Sequence, residues 1–211
     1  PYTTLFRSNE RALLPLGASV KSLAVIGPLA DDRAAPLGCW AAAGRSDGVV
    51  TVLEAIEAKA GSAIVVHYAK GCEIEGGSDE AFAEAVRIAG ESEAAVVVLG
   101  ESAEMCGEGH CRASLDLPGL QEGLLRAVHA TGTPVVLVLM NGRPLTVPWA
   151  AANVPAILET WFPGSRACTA IADVLFGACN PGGRLAVTFP RSVGQVPDRK
   201  STRLNSSHGI I

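Results

Sequence analysis

None of the six cysteines (Cys39, Cys72, Cys106, Cys111, Cys168, Cys179) stands in a C-x-x-C pair. A zinc ribbon or dithiol redox motif is therefore not expected, and isolated cysteines of this kind act mostly as small hydrophobes. The Cys106/Cys111 spacing also permits a disulfide in an oxidising compartment. No apolar run approaches the roughly 18 residues needed to span a bilayer, and no signal peptide is present, so no membrane partner is expected. Aromatic residues make up only 5% of the chain and no lysine or arginine cluster occurs, which argues against a nucleic-acid partner. The Gly27-Pro28-Leu29-Ala30 turn replaces a G-x-G-x-x-G fingerprint, and no G-x-x-x-x-G-K-[ST] loop occurs anywhere. A nucleotide cofactor is therefore not expected, nor is any other cofactor or metal, and no serine nucleophile elbow between strand and helix is expected.

The two ends set themselves apart from the rest. Pro1 to Ser8 and Asp198 to His208 resemble in-frame translations of sequencing-library adapters, and residues 1–8 and 198–211 are set aside as non-native tails. The remaining segment, 9–197, holds thirteen of the seventeen basic residues and twenty of the twenty-one acidic ones, a formal charge of −7. Nearly half of the chain is apolar, enough for one core, so a single domain is expected.

Apolar runs and helical periodicity alternate through that segment. Strands are expected at 22–26, 63–68, 94–100, 134–140, 156–161 and 185–189. Helices are expected from about Val49 to Ala60, after a Ser78-Asp79-Glu80 cap, from Pro118 to Thr131, briefly around Trp149, and from Ala167 to Phe176. Val49, Val52, Leu53 and Ile56, like Leu120, Leu124 and Val128, recur at the spacing of one helix face. The 31–48 stretch, with Pro36, Gly38, Trp40 and Gly44, reads as a long surface loop. Repeated strand and helix units force parallel pairing through crossovers. The expected architecture is an α/β fold, a three-layer α/β/α sandwich with a mostly parallel sheet and an antiparallel strand at an edge, assigned to the last strand.

The strand 94–100 has no polar alternation, as suits a strand covered on both faces. It empties into a loop with three glutamates in eight residues, Glu101, Glu104 and Glu108. Ligands gather beyond the carboxyl ends of such strands. Glu108 lies between Gly107 and Gly109, which free the backbone to present it, so it is the foremost candidate for catalysis. Glu104 reads as a solvated charge and His67 as a structural histidine. Glu101, at the strand end, and Trp161, beside Phe162 at another strand end, are candidates for a site role.

Five ordered motifs resemble a known family: Gly100-Glu101-Ser102; Gly107-Glu108-Gly109-His110-Cys111-Arg112; Leu139-Met140-Asn141-Gly142-Arg143-Pro144-Leu145; Trp161-Phe162-Pro163-Gly164; and Ala172-Asp173-Val174-Leu175-Phe176-Gly177. In this order they are similar to the C-terminal α/β domain of glycoside hydrolase family 3, closest to its bacterial, periplasmic-type β-glucosidase branch. The resemblance implies a fragment of a retaining β-glycosidase acting on terminal β-D-glycosyl residues of a β-glucoside or oligosaccharide. It implies that Glu108 is the acid/base and that an aspartate nucleophile lies on an N-terminal barrel that packs on the strand carboxyl-end face. Arg112 would orient the loop or a neighbouring carboxylate, with Glu101 and Trp161 binding or orienting substrate. An isolated fragment would then be inactive, and a periplasmic or secreted location follows from the resemblance alone. Cys106, Cys111 and Ser165-Arg166-Ala167-Cys168 depart from the family pattern. The alternative is a stand-alone α/β carbohydrate-binding or interaction module without catalysis.

Overall fold

A computed structural model describes residues 5–9, 12–17 and 19–195. Six strands form one sheet: β1 (Leu5–Asn9), β2 (Ser22–Ile26), β3 (Val65–Ala69), β4 (Ala94–Gly100), β5 (Val135–Met140) and β6 (Ala156–Glu159). Their spatial order is β1-β6-β5-β4-β2-β3. All pairs are parallel except β1 with β6.

Alternation along the central strands builds two cores. Val96 and Val98 of β4 face one side, with Val25, Val136, Val138 and Leu158, against α1 (Val52–Ala60) and α5 (Ala167–Leu175). Val97 and Leu99 face the other, with Ile26, Leu137, Leu139 and Ile157. There they meet α2 (Phe82–Gly90), α3 (Gln121–His129) and α4 (Pro148–Asn153). Successive side chains of a strand point to opposite faces, so an unbroken apolar run is what two helical layers require. All seven residues of β4 are buried.

The α/β sandwich is as expected, but its antiparallel edge is not the last strand. Residues 185–189 form no strand, and Leu185 and Val187 are 38% and 47% exposed. The antiparallel edge is β1, which includes residues 5–8 of the segment set aside as a tail, paired from Leu5↔Glu159 to Asn9↔Ala156 with a bulge between Phe6 and Ser8. An open sheet edge is a row of unpaired backbone groups that any extended segment can satisfy, so this pairing needs no alternating pattern. The adapter-like assignments for residues 1–4 and 198–211 lie outside the described residues.

Helix starts also differ in detail. Ala81 rather than the 78–80 triplet caps α2, and α3 begins at Gln121 after Pro118-Gly119-Leu120, leaving Leu120 36% exposed rather than inward. The first helix carries a full capping box: Glu54 N–H donates to Thr51 Oγ1 and Thr51 N–H to the Glu54 carboxylate.

Candidate functional site

Strand order fixes where a site can form. From β2 the chain goes outward to β3, then returns past β2 to β4 and continues through β5 to β6. The loops leaving β2 and β4 thus head for helices on opposite faces, α1 and α3, and a crevice opens between them. It is an open cleft of about 460 Å³. Gly38, Cys39 and Trp40 line it from the β2 loop; Ala103, Glu104, Cys106, Gly107, Glu108 and His110 line it from the β4 loop.

The β4 loop begins under tight control. A Cβ on Gly100 would lie 1.9 Å from the Met140 carbonyl oxygen, and its φ is +144°, so only glycine fits. Fully buried Gln121 accepts from Gly100 N–H at 2.7 Å and donates to its carbonyl at 2.8 Å, finishing the backbone pairing that β4 leaves open. Glu101 N–H then donates to Met140 O at 2.9 Å.

This turn drives the Glu101 side chain inward, where it is 0% exposed. A buried carboxylate needs partners, and it has four. Arg112 Nη1 lies 2.7 Å and Arg143 Nε 3.0 Å from Oε1, while Gly142 N–H and the Cys106 thiol each donate to Oε2 at 3.2 Å. Burial pushes the Cys106 thiol up from its ordinary range, which keeps it the protonated donor this geometry needs. The guanidinium of Arg143, on the turn after β5, also donates to the Met105 and His110 carbonyls.

Glu108 is the opposite case. It is exposed, between Gly107 (φ +124°) and Gly109 (φ +78°), and the ion pairs of the buried cluster do not include it. Arg112 engages Glu101 and the Asp116 carbonyl (3.0 Å) rather than Glu108, and only one of its nitrogens meets the carboxylate. The structure therefore brings Glu101 and Arg112 together beneath the loop and sets Glu108 at its surface.

Trp161 lies elsewhere. It follows β6 in a left-handed conformation (φ +53°), its backbone N–H donates to the buried Glu159 carboxylate at 2.9 Å, and its ring packs on Phe189 at 5.7 Å between centroids. It does not line the cleft. The aromatic face at the cleft is Trp40, 74% exposed, which the reading of 31–48 as a plain surface loop passed over. The available signal was its place on the loop after the first parallel strand. Gly44-Arg45-Ser46-Asp47-Gly48 has G-x-S-x-G spacing, but Ser46 is exposed in a short 3-10 turn and no strand leads into it, so it makes no nucleophile elbow. All six cysteines are free, with Cys106 buried and Cys111 exposed, so no Cys106–Cys111 bridge is present. Among the described residues no group of histidine, cysteine or carboxylate side chains could hold a metal, and no helix is long and apolar enough to cross a membrane.

These residues define a doubly wound α/β domain with an acidic loop and an open cleft at its switch point. The family model described as "Glycosyl hydrolase family 3 C-terminal domain" matches residues 4–209, and the chain belongs to that family. It is 49% identical over 194 residues to a beta-xylosidase of Formosa agariphila and 42% identical over 209 residues to a periplasmic beta-glucosidase of Salmonella typhimurium, covering 90% of this chain in each case. The structure of a Listeria innocua beta-glucosidase in complex with isofagomine superposes with a TM-score of 0.84 at 34% identity over 92% of the chain. The chain spans 27% of the length of each of those two relatives and 26% of the Listeria chain.

Proposed function

We propose that this domain supplies Glu108 as the acid/base of a retaining β-glycosidase whose aspartate nucleophile lies on a barrel domain outside these residues. The observation that carries the reading is the placement of Glu108: exposed in an open cleft at the strand carboxyl ends, on a loop whose root is fixed by a buried ion-pair cluster. A retaining glycosidase needs two carboxyl groups roughly 5–5.5 Å apart, one attacking the anomeric carbon and one first protonating the leaving oxygen, then deprotonating water. Glu108 is free to approach a second carboxyl brought by an apposed domain. Closure of that domain over the cleft would exclude bulk water from the reacting bond.

In this reading the barrel packs on the carboxyl-end face and the Trp40 ring offers an apolar plane to a sugar. Glu101 and Arg112 orient the loop. Trp161, packed on Phe189, keeps a structural part. The substrate is a β-glucoside, β-xyloside or short oligosaccharide, as the names of the relatives suggest, and the periplasmic Salmonella relative supports a periplasmic or secreted location. The 211-residue chain alone is expected to release no aglycone from an aryl β-glycoside.

The test uses the full-length enzyme that carries this domain. Glu108→Ala should cut kcat/KM for alkyl or other poor-leaving-group glycosides by about 10²–10⁴-fold and spare dinitrophenyl glycosides, which need no proton on departure. Equal loss for good and poor leaving groups would reject the assignment.

A further inference from the structure

The segment that carries Glu108 is held from a different strand. Arg143 leaves the turn after β5, and its guanidinium Nη2 donates to the carbonyls of Met105 and His110 and lies 3.4 Å from Cys106 Sγ. Those two carbonyls stand on either side of Glu108. The Nε of the same group is 3.0 Å from buried Glu101 Oε1. One planar cation thus ties both shoulders of the Glu108 segment to the carboxylate that roots the loop. The hydrogen bonds of Arg112 go instead to Glu101 and to the Asp116 carbonyl, beyond the segment.

The segment needs such a tie. Gly107 and Gly109 occupy left-handed conformations next to Glu108, where glycine's freedom would otherwise let the carboxylate swing. A side chain fixed only by its own loop would lose the alignment that proton transfer demands, and a misplacement of about 1 Å costs on the order of 10²-fold. From this geometry we infer that Arg143 is a positioning residue for the acid/base: it clamps the Met105 and His110 carbonyls so that Glu108 is presented in one arrangement. This rests on the reading of Glu108 above. A lysine cannot replace it, because a single ammonium on a flexible stem cannot span Glu101 and two carbonyls at once.

The test compares Arg143→Lys, Arg143→Met and Glu108→Ala in the full-length enzyme, each with its melting temperature. A misaligned acid/base slows glycosylation only for poor leaving groups and slows deglycosylation for every substrate. Both Arg143 variants should lose about 10²-fold in kcat/KM for an alkyl glycoside. For a dinitrophenyl glycoside, kcat/KM should stay within about threefold while kcat and KM fall together, because the glycosyl-enzyme accumulates. A merely structural role would lower kcat for both substrates in proportion to the folded fraction and leave KM unchanged. Arg143→Lys keeps a cation beside Glu101, so it carries the test if Arg143→Met does not fold. If Glu108→Ala gives the split and Arg143→Lys matches the wild type or loses both substrates equally, the clamp is overturned and the Glu108 reading stands. If Glu108→Ala itself lacks the split, the acid/base reading falls and the clamp falls with it.

Discussion

Two glutamates seven residues apart on one loop have opposite surroundings. Glu101 is wholly buried under two guanidinium groups, a thiol and a backbone amide; Glu108 is exposed between two glycines. The root of the loop has spent its charge on structure, which leaves the tip free for chemistry. A carboxylate whose oxygens are taken up by two guanidinium groups, a thiol and an amide has no face left for a substrate, whereas one at an open cleft can be reached by whatever closes over it. The same side chain is an anchor in one place and a candidate acid in the other.

The contrast is broken most severely at its root. Glu101→Ala leaves the guanidinium groups of Arg112 and Arg143 without their shared partner, and removing one member of a buried pair costs about 3–5 kcal/mol. A drop in melting temperature of roughly 10 °C is expected for a domain of this size. Glu108→Ala, at an exposed position, should change stability by less than about 0.5 kcal/mol. Thermal denaturation of the two variants side by side checks this, and similar shifts would erase the distinction between anchor and tip.

A smaller effect is expected from the glycine after Glu108. Gly109→Ala has no atom within 4 Å to meet but keeps a φ of +78°, so it should cost only about 1–2 kcal/mol. Gly100→Ala would drive a methyl into the Met140 carbonyl and should cost more than Gly109→Ala. Urea titration of both variants measures the order, and a costlier Gly109→Ala would contradict it.

The smallest perturbation is chemical labelling. Thiolate is the reactive form, so a thiol whose pKa is raised reacts slowly. Burial pushes Cys72 to about 11 and Cys168 to about 12, and raises Cys106 in the same direction. Iodoacetamide at neutral pH should therefore modify exposed Cys111 first and leave Cys106, Cys72 and Cys168 to last, as peptide mass mapping would follow. Fast labelling of Cys106 would mean that the root of the loop opens readily.

Much of the scaffold is written in local pattern. Leu23 to Ile26, Ala94–Gly100 and Val135–Met140 are unbroken apolar runs that suit strands covered on both faces, and α5 keeps its inward face from Ala167 to Leu175. The edge was less legible. Leu185 to Phe189 has strand-forming residues yet is not a strand among the described residues, whereas β1 is joined through backbone groups that any sequence carries. The site was legible as a loop whose flanking glycines single out Glu108. The full burial of Glu101 was not, because two of its four partners, Arg143 and Gly142, come from the turn after the next strand. Trp40 was hidden for a similar reason, since beyond Gly38 and Cys39 its neighbours in the cleft come from the β4 loop.

The acid/base assignment of Glu108 is tested most directly by azide in the full-length Glu108→Ala enzyme with a dinitrophenyl β-glycoside. Azide attacks the glycosyl-enzyme without needing a base, so turnover should recover with azide concentration, and the product should be the β-glycosyl azide of retained configuration. No rate increase and no glycosyl azide, in a variant that folds and still binds substrate, would contradict the assignment.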